Sequence, residues 1–223
     1  MRRFKNRQEA GQLLALELAH YADRKNCVVL ALPRGGVPVA HELSQALRLP
    51  LDILVVRKLG VPGHEELAMG AIASGGIRII NPHTLSALGI SSGALAEVER
   101  RELIEMERRE RIYRGNKAPL EVSEKTVILV DDGIATGATI RAAIASLHQR
   151  GARKIVVASP VAPESVVISL SNVAEEVICV LKPRDFGGVG WWYEDFSQTT
   201  DEEVRHMLNL ESEPQSTSSD YEL

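Results

Sequence analysis

Apolar positions recur at two different periods along this chain, and the order in which the periods alternate points to a fold class before any motif is considered. Within residues 8–21, Ala10, Leu13, Leu14 and Leu18 fall at helical spacing, which predicts an amphipathic first helix. A short continuous apolar run at 27–32 follows and stops at Pro33-Arg34-Gly35-Gly36. Pro38, tolerated in a first helical turn, opens a second helix through Leu47. Residues 51–56 form another run of leucine and β-branched residues, expected to be a buried strand.

After Arg57-Lys58 the regularity breaks. Gly60, Pro62 and Gly63 predict an irregular loop, and the runs 69–73 and 77–80 flank Ser74-Gly75-Gly76 as a β-hairpin would. The Glu- and Arg-rich stretch 95–113 has balanced charges and predicts a solvated helix laced with ion pairs, a projecting arm or cap. Alternation then resumes, with strands at 127–130, 154–158 and 177–181 separated by helices at 137–150 and 163–170. Strands divided by helices imply parallel pairing with right-handed crossovers. The expected fold is therefore α/β, a doubly wound, mainly parallel sheet. It would carry a hairpin-plus-helix insertion at about 59–120 and a small C-terminal hood at about 182–210, all within one domain of residues 1–210. Residues 211–223 are Ser-, Glu- and Asp-rich without Lys or Arg, and predict a disordered acidic tail.

Bulk properties narrow the function. The net charge of −4 gives no bias toward nucleic acid, so no nucleic-acid partner is expected. No apolar run approaches the roughly 20 residues that cross a bilayer, and no apolar core follows the basic residues 1–5. Cys27 and Cys179 lie far apart beside apolar runs, as buried thiols of a reducing compartment would. A cytoplasmic location is the expectation.

Chemistry concentrates in one stretch. The strand Val127-Ile128-Leu129-Val130 runs into Asp131-Asp132, then into the small-residue loop Gly133-Ile134-Ala135-Thr136-Gly137-Ala138-Thr139 at a helix N-terminus. In an open α/β sheet ligands bind at the carboxyl ends of strands. Backbone amides and hydroxyls at a helix N-terminus suit a phosphate, whereas two acids beside it suit sugar hydroxyls or a metal. No Walker A or GxGxxG sequence occurs. Gly89-Ile90-Ser91-Ser92-Gly93 has the letters of a nucleophile elbow without the preceding buried strand it needs. His20, His41, His83, His148 and His206 share no metal-ligand spacing.

The Asp131-to-Thr139 stretch resembles the phosphoribosyl pyrophosphate (PRPP) motif of type I phosphoribosyltransferases. The resemblance implies that fold, with Asp131 and Asp132 on the ribose hydroxyls and Ala135, Thr136, Gly137, Ala138 and Thr139 on the 5-phosphate. Arg34, Gly35 and Gly36 resemble the family's pyrophosphate loop. Arg57-Lys58 with Gly60-Val61-Pro62-Gly63 resembles the arginine-lysine and glycine-proline loop of adenine phosphoribosyltransferases. The aromatic segment after Asp185 is similar to the base-stacking segment of hypoxanthine-guanine enzymes, so Phe186 would stack on a base, and Trp191 or Trp192 would line its pocket. One departure matters: 6-oxopurine enzymes carry an aspartate where this chain has Ala135, as adenine enzymes do not, so the two likenesses point to different bases. Glu66, just before the hairpin, is the candidate general acid or base, alongside Arg57 and Lys58 as catalytic residues. The implied activity is Mg2+-dependent transfer of 5-phosphoribosyl from PRPP to a nitrogenous base with release of pyrophosphate, the metal held mainly through PRPP. A homodimer is implied on the same basis. The alternative is a non-catalytic PRPP- or nucleotide-sensing regulator of the same fold.

Overall fold

The computed structural model describes residues 3–115 and 117–208, with the side chain of Glu66 left undescribed. The expected acidic tail at 211–223 lies outside the described residues. Five parallel strands build the main sheet: β1 (Cys27–Ala31), β2 (Leu51–Ile53), β6 (Thr126–Val130), β7 (Lys154–Val161) and β8 (Glu176–Leu181), in the order β2-β1-β6-β7-β8. Three more strands, β3 (Val56–Val61), β4 (His64–Ala73) and β5 (Ile77–Ile80), form a separate antiparallel sheet.

The central strands β1 and β6 are buried along their whole length, because helices cover both faces. Strand alternation divides their side chains between two cores. Val29, Ala31, Ile128, Val130 and Val156 pack with Leu14 of α1 (Arg7–Glu17) and Leu43 of α2 (Gly36–Leu47). Val28, Leu30, Val127, Leu129 and Val157 pack with Ile140 and Ile144 of α5 (Ala138–Gln149) and Leu170 of α6 (Glu164–Leu170). Cys27 and Cys179 are buried, and burial pushes both thiols up to about 11, the wrong direction for a reactive thiolate.

The segment 60–63, expected as an irregular loop, is instead the end of a strand and a tight turn. β2 stops at Ile53, and β3 leaves the main sheet to pair antiparallel with β4, from Val56 opposite Ala73 to Val61 opposite His64. Gly60 sits at the register shift, where a Cβ would lie 2.6 Å from the Glu65 carbonyl oxygen, so the glycine serves a bulge. The hairpin β4–β5 forms as expected. Next come α3 (Pro82–Ala87) and the 23-residue α4 (Ser92–Arg114), capped by Asn81 and Ser91. Gly89 follows a helix and no strand, in keeping with the absence of a nucleophile elbow.

A third, small core joins Phe4 of the N-terminal segment to Val161 at the end of β7 and to Trp192 and Tyr193 beyond β8. The chain then ends its described course in α7 (Asp201–Met207), fixed by a Thr200/Glu203 capping box. No helix among the described residues is long and apolar enough to cross a membrane.

Candidate active site

The sheet order reverses between β1 and β6: the chain steps outward to β2, then returns to the other side of β1. Such a switch point leaves a crevice beyond the carboxyl ends of the two strands. Two loops meet there, Leu32 to Gly35 after β1 and Asp131 to Gly137 after β6. They approach so closely that side chains are excluded. A Cβ on Gly35 would lie 2.1 Å from Asp132 Oδ2, and one on Gly36 would lie 2.7 Å from the Val130 carbonyl oxygen and 3.0 Å from Asp131 Cα. The peptide between Pro33 and Arg34 is cis. On the other loop Gly137 takes a left-handed φ of 77° as N-cap of α5, a conformation that favours glycine, at the helix end whose first amides lack intrahelical acceptors.

Two carboxyls occupy the floor. The Asp132 backbone N–H donates to Asp131 Oδ1 at 2.9 Å. Burial, and then the neighbouring Asp132 charge, push the Asp131 carboxyl well above its ordinary range. Asp132 is also raised, chiefly by burial, although Arg7 opposes the shift. Arg7 Nε donates to Asp132 Oδ2 at 2.8 Å, and the two side chains are only 10% and 13% exposed. The Tyr193 hydroxyl donates to the Asp132 carbonyl oxygen at 2.6 Å, and its phenol is pushed upward, first of all by burial.

The cations singled out in the sequence are distributed unevenly. Arg34 stands at the crevice, with Nη1 3.4 Å from Asp201 Oδ1; that carboxylate also accepts the Tyr113 hydroxyl at 2.5 Å. Arg57 and Lys58 are consecutive in a strand and so diverge. Arg57 pairs with Glu102 of α4 through Nε at 2.8 Å and Nη2 at 2.5 Å. Lys58 lines a cavity of about 340 Å³ with Thr136, Ala138 and Thr139. Among these residues, then, Lys58 lies beside the phosphate-loop candidates and Arg57 is turned to the α4 helix. The backbone of Glu66 is in β4. Phe186 packs half-buried on the third core and accepts the Trp192 indole N–H through its carbonyl at 3.0 Å. Trp192 is buried, whereas Trp191 is 70% exposed.

A family profile described as "Phosphoribosyl transferase domain" matches residues 5–181, which include every strand and both loops of the crevice. The chain belongs to the phosphoribosyl transferase family. A Mycobacterium tuberculosis protein provisionally named a phosphoribosyl transferase is 44% identical over 209 residues, covering 94% of this chain and 47% of that protein. The chain thus spans about half the length of this mycobacterial relative. The crystal structure of the Thermus thermophilus protein TT1426 superposes with a TM-score of 0.83 at 41% identity, covering 95% of this chain and 99% of that one. The bifunctional protein PyrR of Pelotomaculum thermopropionicum is 31% identical over 120 residues, 53% of this chain and 60% of that protein.

In this member of the family the α/β fold is the type I architecture, a five-stranded parallel sheet with a separate antiparallel one. Three residues at the crevice were not singled out from the sequence: Arg7, Tyr193 and Asp201. A signal for Arg7 was present. It shares one helix face with Ala10, Gly11 and Leu14, all buried, and a charge on an apolar stripe needs a buried partner. Asp201 gives no such signal, since acids are ordinary in a helix's first turn.

Proposed function

We propose that the protein is a Mg2+-dependent phosphoribosyltransferase that moves 5-phosphoribosyl from PRPP to a nitrogenous base and releases pyrophosphate. The observation that carries this is the close approach of the Gly35-Gly36 loop to the Asp131-Asp132 pair at the switch point. An anion-binding backbone loop and a pair of hydroxyl acceptors less than one side chain apart suit a phosphorylated sugar bearing a second anionic group.

In this assignment Asp131 and Asp132 accept hydrogen bonds from the ribose hydroxyls, and the amides of 135–139 hold the 5-phosphate. The amides of Gly35 and Gly36, with Arg34, face the pyrophosphate; Lys58, in the cavity shared with the 135–139 loop, reaches the phosphates from that side, and Arg57 joins the pyrophosphate on leaving Glu102. The nitrogen nucleophile forms its bond to C1 while the C1–O bond breaks, and pyrophosphate departs with the bonding electron pair. Positive charge develops on the ribose ring, so a fixed negative floor beneath it stabilises the transition state. Phe186 and Trp191 are assigned to the base and Glu66 to proton transfer.

Mg2+ suits the oxygen-rich surroundings. Among the described residues no group of three or more His, Cys, Asp or Glu converges as a cage, and Mg2+ commonly binds through phosphates with few protein ligands. The oxygens of PRPP would hold the ion, with Asp131 and Asp132 as the nearby acidic side chains, and it would supply neutralisation of the leaving group's charge.

The test is pyrophosphate release from PRPP across a panel of purine and pyrimidine bases, with and without Mg2+. Metal-dependent release with one base, and formation of its nucleoside monophosphate, supports the assignment and names the acceptor. Saturable PRPP binding with no release on any base would favour the sensing regulator instead.

A further inference from the structure

We infer that Arg7, on the first helix and outside every recognised motif segment, is a positioning residue that sets the orientation of Asp132 for a sugar hydroxyl. The inference rests on the assignment of Asp132 to the ribose. Arg7 reaches Asp132 from α1 and is itself held at two further points. Its Nη1 donates to the Ser197 carbonyl at 2.7 Å, and its Cζ lies 4.0 Å from the centre of the Phe196 ring. The guanidinium is planar and rigid, so fixing one nitrogen on Ser197 and one face on Phe196 fixes the direction of the third contact, Nε to Asp132 Oδ2. Occupying Oδ2 sets the rotation of the carboxylate about its Cβ–Cγ bond. Tyr193, whose ring adjoins Phe196 at 5.1 Å between centroids, holds the Asp132 main chain. The backbone of Asp132 is therefore restrained directly by Tyr193, and its side chain by Ser197 and Phe196 acting through Arg7.

A purely structural ion pair is the bland alternative. Buried pairs contribute little net stability compared with apolar replacements, and this one joins a helix, a strand end and a C-terminal segment at the mouth of the crevice. The two accounts separate on what the site distinguishes. A structural pair, once removed, weakens all ligands alike. A positioning pair, once removed, weakens the hydroxyl contact and spares the phosphate contact.

The experiment measures binding of ribose 5-phosphate and its 2-deoxy and 3-deoxy analogues to the full chain, wild type against Arg7→Gln, Arg7→Lys and Phe196→Leu. A hydroxyl bonded to a carboxylate is worth about tenfold or more in affinity. Wild type should therefore prefer ribose 5-phosphate over at least one analogue by that factor. Arg7→Gln should reduce the preference to about threefold or less, while the deoxy analogue itself binds within about twofold of wild type. Arg7→Lys should fall between, since it keeps the charge and loses the fork. Phe196→Leu removes the stacking without touching Asp132 and should lower the preference partially, which keeps the test available if the Arg7 variants do not fold. An unchanged preference in a folded Arg7→Gln, or in Phe196→Leu should that variant be needed, would overturn the positioning role while leaving the ribose assignment intact. A wild-type protein that binds no sugar phosphate would instead overturn the assignment on which it rests.

Discussion

The two ends of the parallel sheet carry opposite electrostatic arrangements. At the amino ends of β7 and β8, Lys154 Nζ lies 2.8 Å from Glu176 Oε2 and 2.6 Å from the Tyr21 hydroxyl, which itself donates to Glu176 at 2.5 Å. There Lys154 and Glu176 face each other as opposite charges. Burial alone would raise the Glu176 carboxyl, but hydrogen bonds from Lys154 and Tyr21 outweigh it and hold the group below its ordinary range; Lys154 is held above its own, chiefly by Glu176. At the carboxyl end of β6 two acids stand side by side, and Asp131 is pushed the other way. One end of the sheet neutralises its charges and serves stability. The other keeps like charges together, an arrangement that costs stability and is retained where a ligand supplies the missing partners.

Replacing the acids at the carboxyl end should produce the largest change. Asp131→Asn with Asp132→Asn should weaken PRPP binding by at least about a hundredfold, two charged hydrogen bonds being lost, while circular dichroism stays that of wild type. Glu176→Gln, at the opposite end, should leave PRPP affinity unchanged. Gly35→Ala comes next. Its Cβ would sit 2.1 Å from an Asp132 oxygen that Arg7 holds in place, so a loss of about tenfold or more in PRPP affinity is expected in the same titration.

Smaller effects sharpen the contrast through stability. Asp131→Asn alone should raise the melting temperature by about 2–4 °C per kcal/mol of relieved burial cost. Because the folded-state pKa of Asp131 lies above the ordinary 3.8, the wild type carries a penalty that begins as pH rises past that value and is complete above the folded pKa. The gain from the substitution should therefore be larger at pH 7.5 than at pH 5. Glu176→Gln should do the reverse and lower the melting temperature. Lys154 and Glu176 are 36% and 26% exposed, so solvent screening limits the loss to about 1 kcal/mol, or about 2–4 °C. The Glu176 contribution is present above its unfolded pKa of about 4.5 and is lost as pH falls through its depressed folded value. A rise on Glu176→Gln, or a fall on Asp131→Asn, in thermal melts would break the comparison.

The smallest expected effect concerns Arg57. Glu102→Gln removes the largely buried acid of a part-buried pair, and releasing the guanidinium should tighten PRPP binding about two- to fivefold. Unchanged affinity would place Arg57 outside the pyrophosphate site.

What the sequence made legible follows from the range of the interactions. β1, β6 and β7 read as apolar runs because both faces of the sheet are covered there, and β8, half-buried at the edge, keeps its apolar run at 177–181. The Asp131-to-Thr139 loop was legible because its acids, glycine and hydroxyls are contiguous. β3 was misread because Arg57, Lys58 and Gly60 give it neither alternation nor an apolar run, and its pairing partner was needed to define it. α7 was missed because it is short and polar, and it buries only Val204. The pairings that connect the site to its surroundings, Arg7 with Asp132, Arg34 with Asp201 and Arg57 with Glu102, span 45 to 167 residues and leave no period in the sequence.

The most direct test of the central claim is calorimetric titration of PRPP with Mg2+ into the full chain and, in parallel, into the Asp131→Asn/Asp132→Asn variant. Saturable binding to the wild type, absent in a folded double variant, is the predicted result. No binding to a folded wild type, or equal binding to both proteins, would contradict the assignment of this crevice to PRPP.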